Sequence, residues 1–189
     1  FIGTFHGLGA NILRREHRLL GRGPNFVIFD DHDSFDLIKK IIKKELVKGG
    51  ENLEILEKER FGFFAKKISE IKNKESCLAD LRSSKKQRDE LALEIYSSYE
   101  ARLKENNAFD FDDLIEKVVY LFKKYPEALA KHKKRFEAIL VDEYQDVNPK
   151  QYELIKLLAR NHQNLSVVGD DEQMIYGWRY ANLKIFLGF

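Results

Sequence analysis

Ala138-Ile139-Leu140-Val141-Asp142-Glu143-Tyr144-Gln145-Asp146 and Leu165-Ser166-Val167-Val168-Gly169-Asp170-Asp171-Glu172-Gln173 share one pattern, a short continuous apolar run that ends in acidic residues. Strands of a parallel sheet read this way, because helices cover both of their faces. Between the two runs, Asn148-Pro149 opens a stretch whose Tyr152, Leu154, Ile155, Leu158 and Ala159 recur at helical spacing, and Pro149 suits a first helical turn. Strand, helix, strand implies a βαβ crossover and an α/β sheet. Ligands of such a sheet collect at the carboxyl ends of the strands, where both acidic clusters fall.

Upstream, Ile2–Phe5 reads as the end of a buried strand, followed by an amphipathic helix from Leu8 to Leu20 that must stop at Gly21-Arg22-Gly23-Pro24. Phe26–Phe29 is another apolar run. Asp33 or Ser34 then caps a helix carrying Phe35, Ile38, Ile41, Ile42 and Leu46 on one side, with lysines mostly opposite. From Glu51 to Asn107 the chain is strongly charged and free of proline. Helical spacing recurs there in Phe61, Phe64, Ile68, Ile71 and in Leu91, Ile95, Tyr99, Leu103, the pattern of a small helical subdomain. Arg82, Lys85, Lys86 and Arg88 cluster near a turn at Ser83-Ser84, as solvated surface or as a phosphate contact. Phe109–Phe122 is again helical in period. Asp110, Asp112 and Asp113 near its start oppose the helix macrodipole, and nothing supplies the alternating oxygens and glycine of a calcium loop.

Composition narrows the class. At 189 residues, 43% hydrophobic and 34% charged, the chain can hide roughly 70% of its unfolded surface without disulfide or metal staples. No apolar stretch approaches the roughly 20 residues that span a bilayer, and no signal peptide opens the chain, so neither membrane insertion nor export is expected. Cys77 is the single cysteine, which excludes an internal disulfide and a cysteine-based zinc cluster and points to a reducing, cytoplasmic setting. A net charge of +2 neither demands nor forbids nucleic acid. The only methionine is Met174, and the chain opens inside an apolar run, so it reads as a piece of a longer protein.

An apolar strand ending in Asp142-Glu143 has the arrangement that nucleotide hydrolysis needs, an aspartate to hold Mg²⁺ and a neighbouring glutamate to orient or deprotonate water. After the second cluster comes Ile175-Tyr176-Gly177-Trp178-Arg179-Tyr180. Aromatic faces beside a cation make a platform on which bases stack at about 1–3 kcal/mol each. A core cluster has the same composition; position just beyond a phosphate-type site favours the platform.

Val141-Asp-Glu-Tyr-Gln-Asp-Val-Asn148 and Val167-Val-Gly-Asp-Asp-Glu-Gln-Met-Ile-Tyr-Gly-Trp-Arg-Tyr-Ala181 resemble motifs II and III of superfamily-one DNA helicases of the UvrD/Rep/PcrA type. Gly3-Thr4-Phe5-His6-Gly7 resembles motif Ib, and Phe109-Asp-Phe-Asp-Asp-Leu-Ile115 resembles a family segment ahead of motif II. The four segments stand in the family's order. The resemblance implies that Asp142 coordinates Mg²⁺, that Glu143 is the catalytic base and that Gln173 senses the γ-phosphate of ATP. It implies contacts with single-stranded DNA from Tyr176, Trp178 and Arg179, backbone contacts from Thr4 and His6, and a coupling network through Gln145 and Asp146. Met174 stands where the family has a small polar residue, Tyr180 where it has glycine, and Glu172 where aspartate is commoner.

The implied fold is α/β, a partial RecA-like (P-loop NTPase) parallel sheet interrupted by an all-α helical subdomain, with core segments 1–24 and 108–189 flanking an insertion at 25–107. The implied parent is an ATP- and Mg²⁺-dependent 3′→5′ helicase acting on single strands and single/double-strand junctions. No glycine is followed by lysine, so the loop G-x-x-x-x-G-K-[ST] that cradles phosphates is missing, and the piece alone is expected to be inactive. Two alternatives stand beside this reading, the helicase part of an AddA/RecB-type helicase-nuclease and a non-catalytic DNA-binding module.

Overall fold

The structure, a computed structural model, describes residues 1–49, 57–159, 164–170, 172, 185 and 188. It divides into two compact units, one drawn from residues 1–16 and 114–189, the other from 17–113. Both positions at which the sequence suggested a division, after Pro24 and after Asn107, lie inside the second unit.

The first unit opens with α1 (Phe5–Glu16). The strand expected at Ile2–Phe5 is not formed: Phe1 to Thr4 are exposed, and Phe5 is already helical. The reason is Thr4, which caps the helix; its hydroxyl accepts the Gly7 amide at 3.1 Å and its carbonyl the Leu8 amide at 2.9 Å. Gly9, Ile12, Leu13 and Glu16 form the buried stripe of α1. The chain leaves the helix through one 3₁₀ turn, His17–Leu20, and turns at Gly21, whose φ of 63° is open to glycine at little cost.

A Cβ on Gly9 would fall onto the Leu114 carbonyl, far inside van der Waals contact. Gly9→Ala is therefore expected to lose about 1–3 kcal/mol through forced separation of backbones, against the gain of about 1 kcal/mol that alanine brings to an open helix. Urea unfolding would show it; a stabilised variant would mean that the two backbones are not in contact.

In the same unit, α6 (Asp113–Lys124) buries Leu114, Ile115, Val118, Val119, Leu121 and Phe122. The helix starts later than its period implied: Phe109 and Asp110 belong to a strand, and Phe111 stands in the intervening turn, 46% exposed. α7 (Pro126–Lys133), which the periodicity missed, follows with proline in its first turn. The predicted crossover is present. β3 (Ile139–Val141) and β4 (Leu165–Val167) pair in parallel, with Val141 opposite Val167, and α8 (Pro149–Ala159) lies between them in sequence. Asn148 and Gln151 cap α8 reciprocally, each side chain accepting the other's amide at 2.9 and 3.0 Å. The strands are not buried on both faces, however. Side chains alternate along a strand, so Ile139, Val141, Leu165 and Val167 pack with Tyr144, Val147 and Ile155, while Leu140 on the opposite face is 71% exposed.

The second unit is helical in its core but not all-α, which corrects the expected insertion. β1 (Val27–Phe29) and β2 (Ala108–Asp110) pair in parallel, Val27 opposite Ala108 and Phe29 opposite Asp110. Asn107, at a positive φ of 48°, accepts the Gly23 amide through its side chain at 2.7 Å, and its carbonyl accepts the Val27 amide at 3.1 Å. Asparagine tolerates that left-handed backbone. α2 (Asp31–Gly49) is capped by Asp30 and Asp33 together rather than by Ser34. With α3 (Glu57–Asn73), α4 (Glu75–Ser83) and α5 (Gln87–Glu105) it completes the unit. The core is the one the spacing foretold: Ile38, Ile41 and Ile42 meet Phe61, Phe64 and Ile68, and Ile95, Tyr99 and Leu103 close it.

At the heart of this unit lies Lys72, fully buried, its ammonium 2.6 Å from Asp110, 2.8 Å from Asp113 and 2.9 Å from Glu100. The Tyr99 hydroxyl donates to Asp110 at 2.9 Å, and Asn73 donates to Asp112 at 2.8 Å. Burial works against the Lys72 charge, but Asp113, Asp110 and Glu100 together hold its pKa well above the ordinary value. Asp110 is pushed up to about 6, first by burial and then by Asp113. Asp110 and Asp113 also accept each other's amides. The capping role expected of the aspartates is thus present, and a buried lysine adds a second role.

Candidate functional site

The turn after β3 begins with a strained residue. Glu143 has φ 52° and ψ 44°, a left-handed backbone that is uncommon for a residue with a Cβ and costs on the order of 1–3 kcal/mol. Several hydrogen bonds hold it there. The Glu143 amide donates to its neighbour Asp142 at 3.0 Å, and the Tyr144 amide donates to the Val168 carbonyl at 2.9 Å. Val168 in turn donates to the Val141 carbonyl at 2.8 Å, so the parallel pairing runs directly into the turn. Tyr144 and Val147 are buried beneath, whereas Asp142 and Glu143 project into solvent at the carboxyl end of β3.

Gln145 joins the two acidic clusters. Its buried side chain donates to Glu143 Oε2 at 2.6 Å and accepts the Asp170 amide at 3.1 Å. Asp170 then accepts the Glu172 amide at 3.0 Å. One amide side chain therefore fixes both a carboxylate of the first cluster and the backbone of the second. Asp146 is partly buried. Its Oδ1 has no hydrogen-bond partner among the described residues, and burial, followed by the charge of Glu143, raises its pKa.

Thr4 and His6 flank Phe5, which packs against the cluster of Val141, Tyr144, Val147 and Ile155 beneath this turn. The structure thus brings the start of α1 and the acidic turn onto one small core. Thr4 is exposed and spends its hydroxyl on the helix cap; His6 is half-buried. Gln173, Tyr176, Trp178 and Arg179 lie outside the described residues, as do Met174 and Tyr180. Arg82, Lys85, Lys86 and Arg88 are exposed around the α4–α5 turn, where the Arg88 guanidinium sits 3.6 Å from the centroid of the Phe63 ring. The backbone link through Val168 and the place of Phe5 have no signature in the sequence, since any apolar residue could supply them.

Among the described residues no group of three or more acidic, histidine or cysteine side chains could cage a metal. Mg²⁺ keeps several waters and takes one or two carboxylates together with substrate phosphates. The Asp142 carboxylate, exposed at a strand end, has the chemistry of one such ligand. No described helix is long and apolar enough to cross a membrane.

Parallel strands with a strained acidic turn at their carboxyl ends define a mixed α/β domain with an open, carboxylate-bearing site. The UvrD/REP helicase N-terminal domain family matches residues 1–189, and the chain belongs to that family. It is similar to the ATP-dependent DNA helicase PcrA of Staphylococcus aureus strain Mu50, with 38% identity over 190 residues that cover all of this chain and 25% of that protein. PcrA of Staphylococcus epidermidis strain RP62A is likewise 38% identical, over 192 residues. The chain spans about a quarter of the length of these relatives.

Proposed function

We propose that this chain is part of the first, RecA-like motor domain of an ATP-dependent DNA helicase that moves 3′→5′ along single strands and opens duplex at junctions. What supports the reading most is the bridge by Gln145 from the Glu143 carboxylate to the Asp170 amide, because it ties the hydrolytic turn to the segment that leads to Gln173 and the aromatic stretch.

In this reading Asp142 would hold Mg²⁺, which when bound with the nucleotide supplies neutralisation of charge developing on the phosphoryl oxygens. Glu143 orients the attacking water toward the γ-phosphate and takes its proton. Gln173 senses that phosphate. Gln145 keeps Glu143 Oε2 pointed and passes any shift of the Asp170 backbone to the base, with Asp146 beside it. Tyr176 and Trp178 stack on bases, Arg179 holds phosphate, and Thr4 and His6 touch the strand's backbone.

The whole protein is expected to hydrolyse ATP faster when single-stranded DNA is added, and to displace a strand only from a substrate with a 3′ single-stranded tail. The isolated 189-residue chain is expected to hydrolyse no ATP above background. A coupled-enzyme assay and a gel strand-displacement assay read these outcomes; ATPase indifferent to DNA in the whole protein would sink the reading.

A further inference from the structure

Residues 117–135 carry six lysines and Arg135 against a single acid, Glu127, a local charge of +6 in a chain whose total is +2. Structure concentrates that charge. The Phe122 and His132 rings lie 5.5 Å apart, which folds the end of α7 back on the last turn of α6. Lys123 and Lys124 flank the first ring; Lys131 and Lys133 flank the second.

Ion pairs consume part of the charge: Lys117 meets Glu116, Lys123 meets Glu153 and Lys131 meets Glu16. Lys124, Lys134 and Arg135, all exposed, form no ion pair among the described residues. Helix dipoles explain cations within the last turns of α6 and α7, but Arg135 lies beyond α7. Beside Lys124 stand two tyrosines. Lys124 donates to the Tyr120 hydroxyl at 2.9 Å and lies 5.3 and 5.5 Å from the ring centroids of Tyr120 and Tyr125. Tyr120 is 43% exposed.

We propose that this α6–α7 face is a second contact for a nucleic-acid strand, distinct from the loops after β3 and β4. Arg135 precedes β3, whereas Asp142 follows it, so these two residues lie toward opposite ends of the strand. Unpaired cations capture phosphates, and an exposed ring beside a cation offers a face to any base. An acidic peptide would use the cations and leave the ring idle, which is why a strand fits better.

The test is anisotropy of a fluorescein-labelled oligothymidylate with the 189-residue chain, without ATP, so failure of the helicase reading leaves this contact standing. The triple variant Lys124→Glu, Lys134→Glu, Arg135→Glu is expected to bind at least tenfold more weakly at low salt. Its log Kd against log salt slope should be shallower by about 2, as three lost phosphate contacts imply at roughly 0.7 each. Tyr120→Ala is expected to weaken oligothymidylate binding several-fold and a blunt duplex hardly at all. Should the triple variant lose its far-UV circular dichroism, Lys134→Gln with Arg135→Gln serves instead, with a slope change of about 1.4. Unchanged affinity and slope would overturn the proposal. So would equal losses for strand and duplex on Tyr120→Ala, or polyglutamate binding the same face as tightly as the strand.

Discussion

Glu143→Gln in the whole protein is expected to lower DNA-stimulated ATP turnover by about 10²–10⁴-fold, the usual worth of a positioned general base, while nucleotide binding stays within a few-fold. The substitution keeps shape and one carbonyl oxygen that can still accept from Gln145, so the turn should persist. What it removes is the negative charge and basicity that the proposed base role requires. The backbone makes the assignment sharp. A left-handed residue is held in place by the Tyr144–Val168 and Val141–Val168 hydrogen bonds, and Gln145 fixes one carboxylate oxygen at 2.6 Å. Such strain persists where surrounding structure over-determines it, and it clusters at functional sites. Steady-state kinetics with a fluorescent nucleotide titration separates the two effects. Turnover within tenfold of the parent would take Glu143 out of the base role.

Lys72→Met is expected to cost about 3–5 kcal/mol of unfolding free energy, because it leaves three carboxylates around a neutral side chain. Urea unfolding followed by circular dichroism measures it. The pH dependence carries a sign. Asp110 has its folded pKa raised to about 6, above the unfolded value. The folded state therefore holds a proton that the unfolded chain has released. The stability this lends is complete below about pH 4 and is lost as pH rises through about 6. Lys72→Met should push Asp110 higher still, so the variant should regain stability on acidification more steeply than the parent. Adding Asp110→Asn and Asp113→Asn should restore part of the loss at neutral pH. A cost below 1 kcal/mol would mean that Lys72 is solvated and the cluster does not form.

Much of this organisation was legible from periodicity. The β3–α8–β4 crossover followed from two apolar runs with a helical stretch between them, and the α3 and α5 core positions followed from spacing alone. What the residues hid had specific causes. Ile2–Phe5 is apolar enough for a strand, yet Thr4 caps a helix, and a cap competes with extended structure over only a few residues. The β1–β2 pairing joins Val27 to Ala108, too distant for any local pattern. Lys72 sits on a helix rich in lysines, and nothing in its neighbours says that it alone turns inward. At the acidic turn the carboxylates were readable. The hydrogen bonds of Gln145 have no signature in the sequence, because its partner Asp170 is reached through the fold.

The Lys72 cluster also bears on how the chain reaches its native state. Its partners arrive from three separate stretches, the second half of α5, strand β2 and the first turn of α6. An ammonium gives up its hydration only when enough negative charge surrounds it. A half-assembled unit, with α2 and α3 docked but Asp110 absent, would have to dry Lys72 uncompensated or leave the centre wet. Partial folds are thereby penalised twice, through lost apolar contact and through an orphaned charge. Desolvation of the lysine is thus compensated only in the complete unit, which favours the assembled helices and small sheet over partial arrangements.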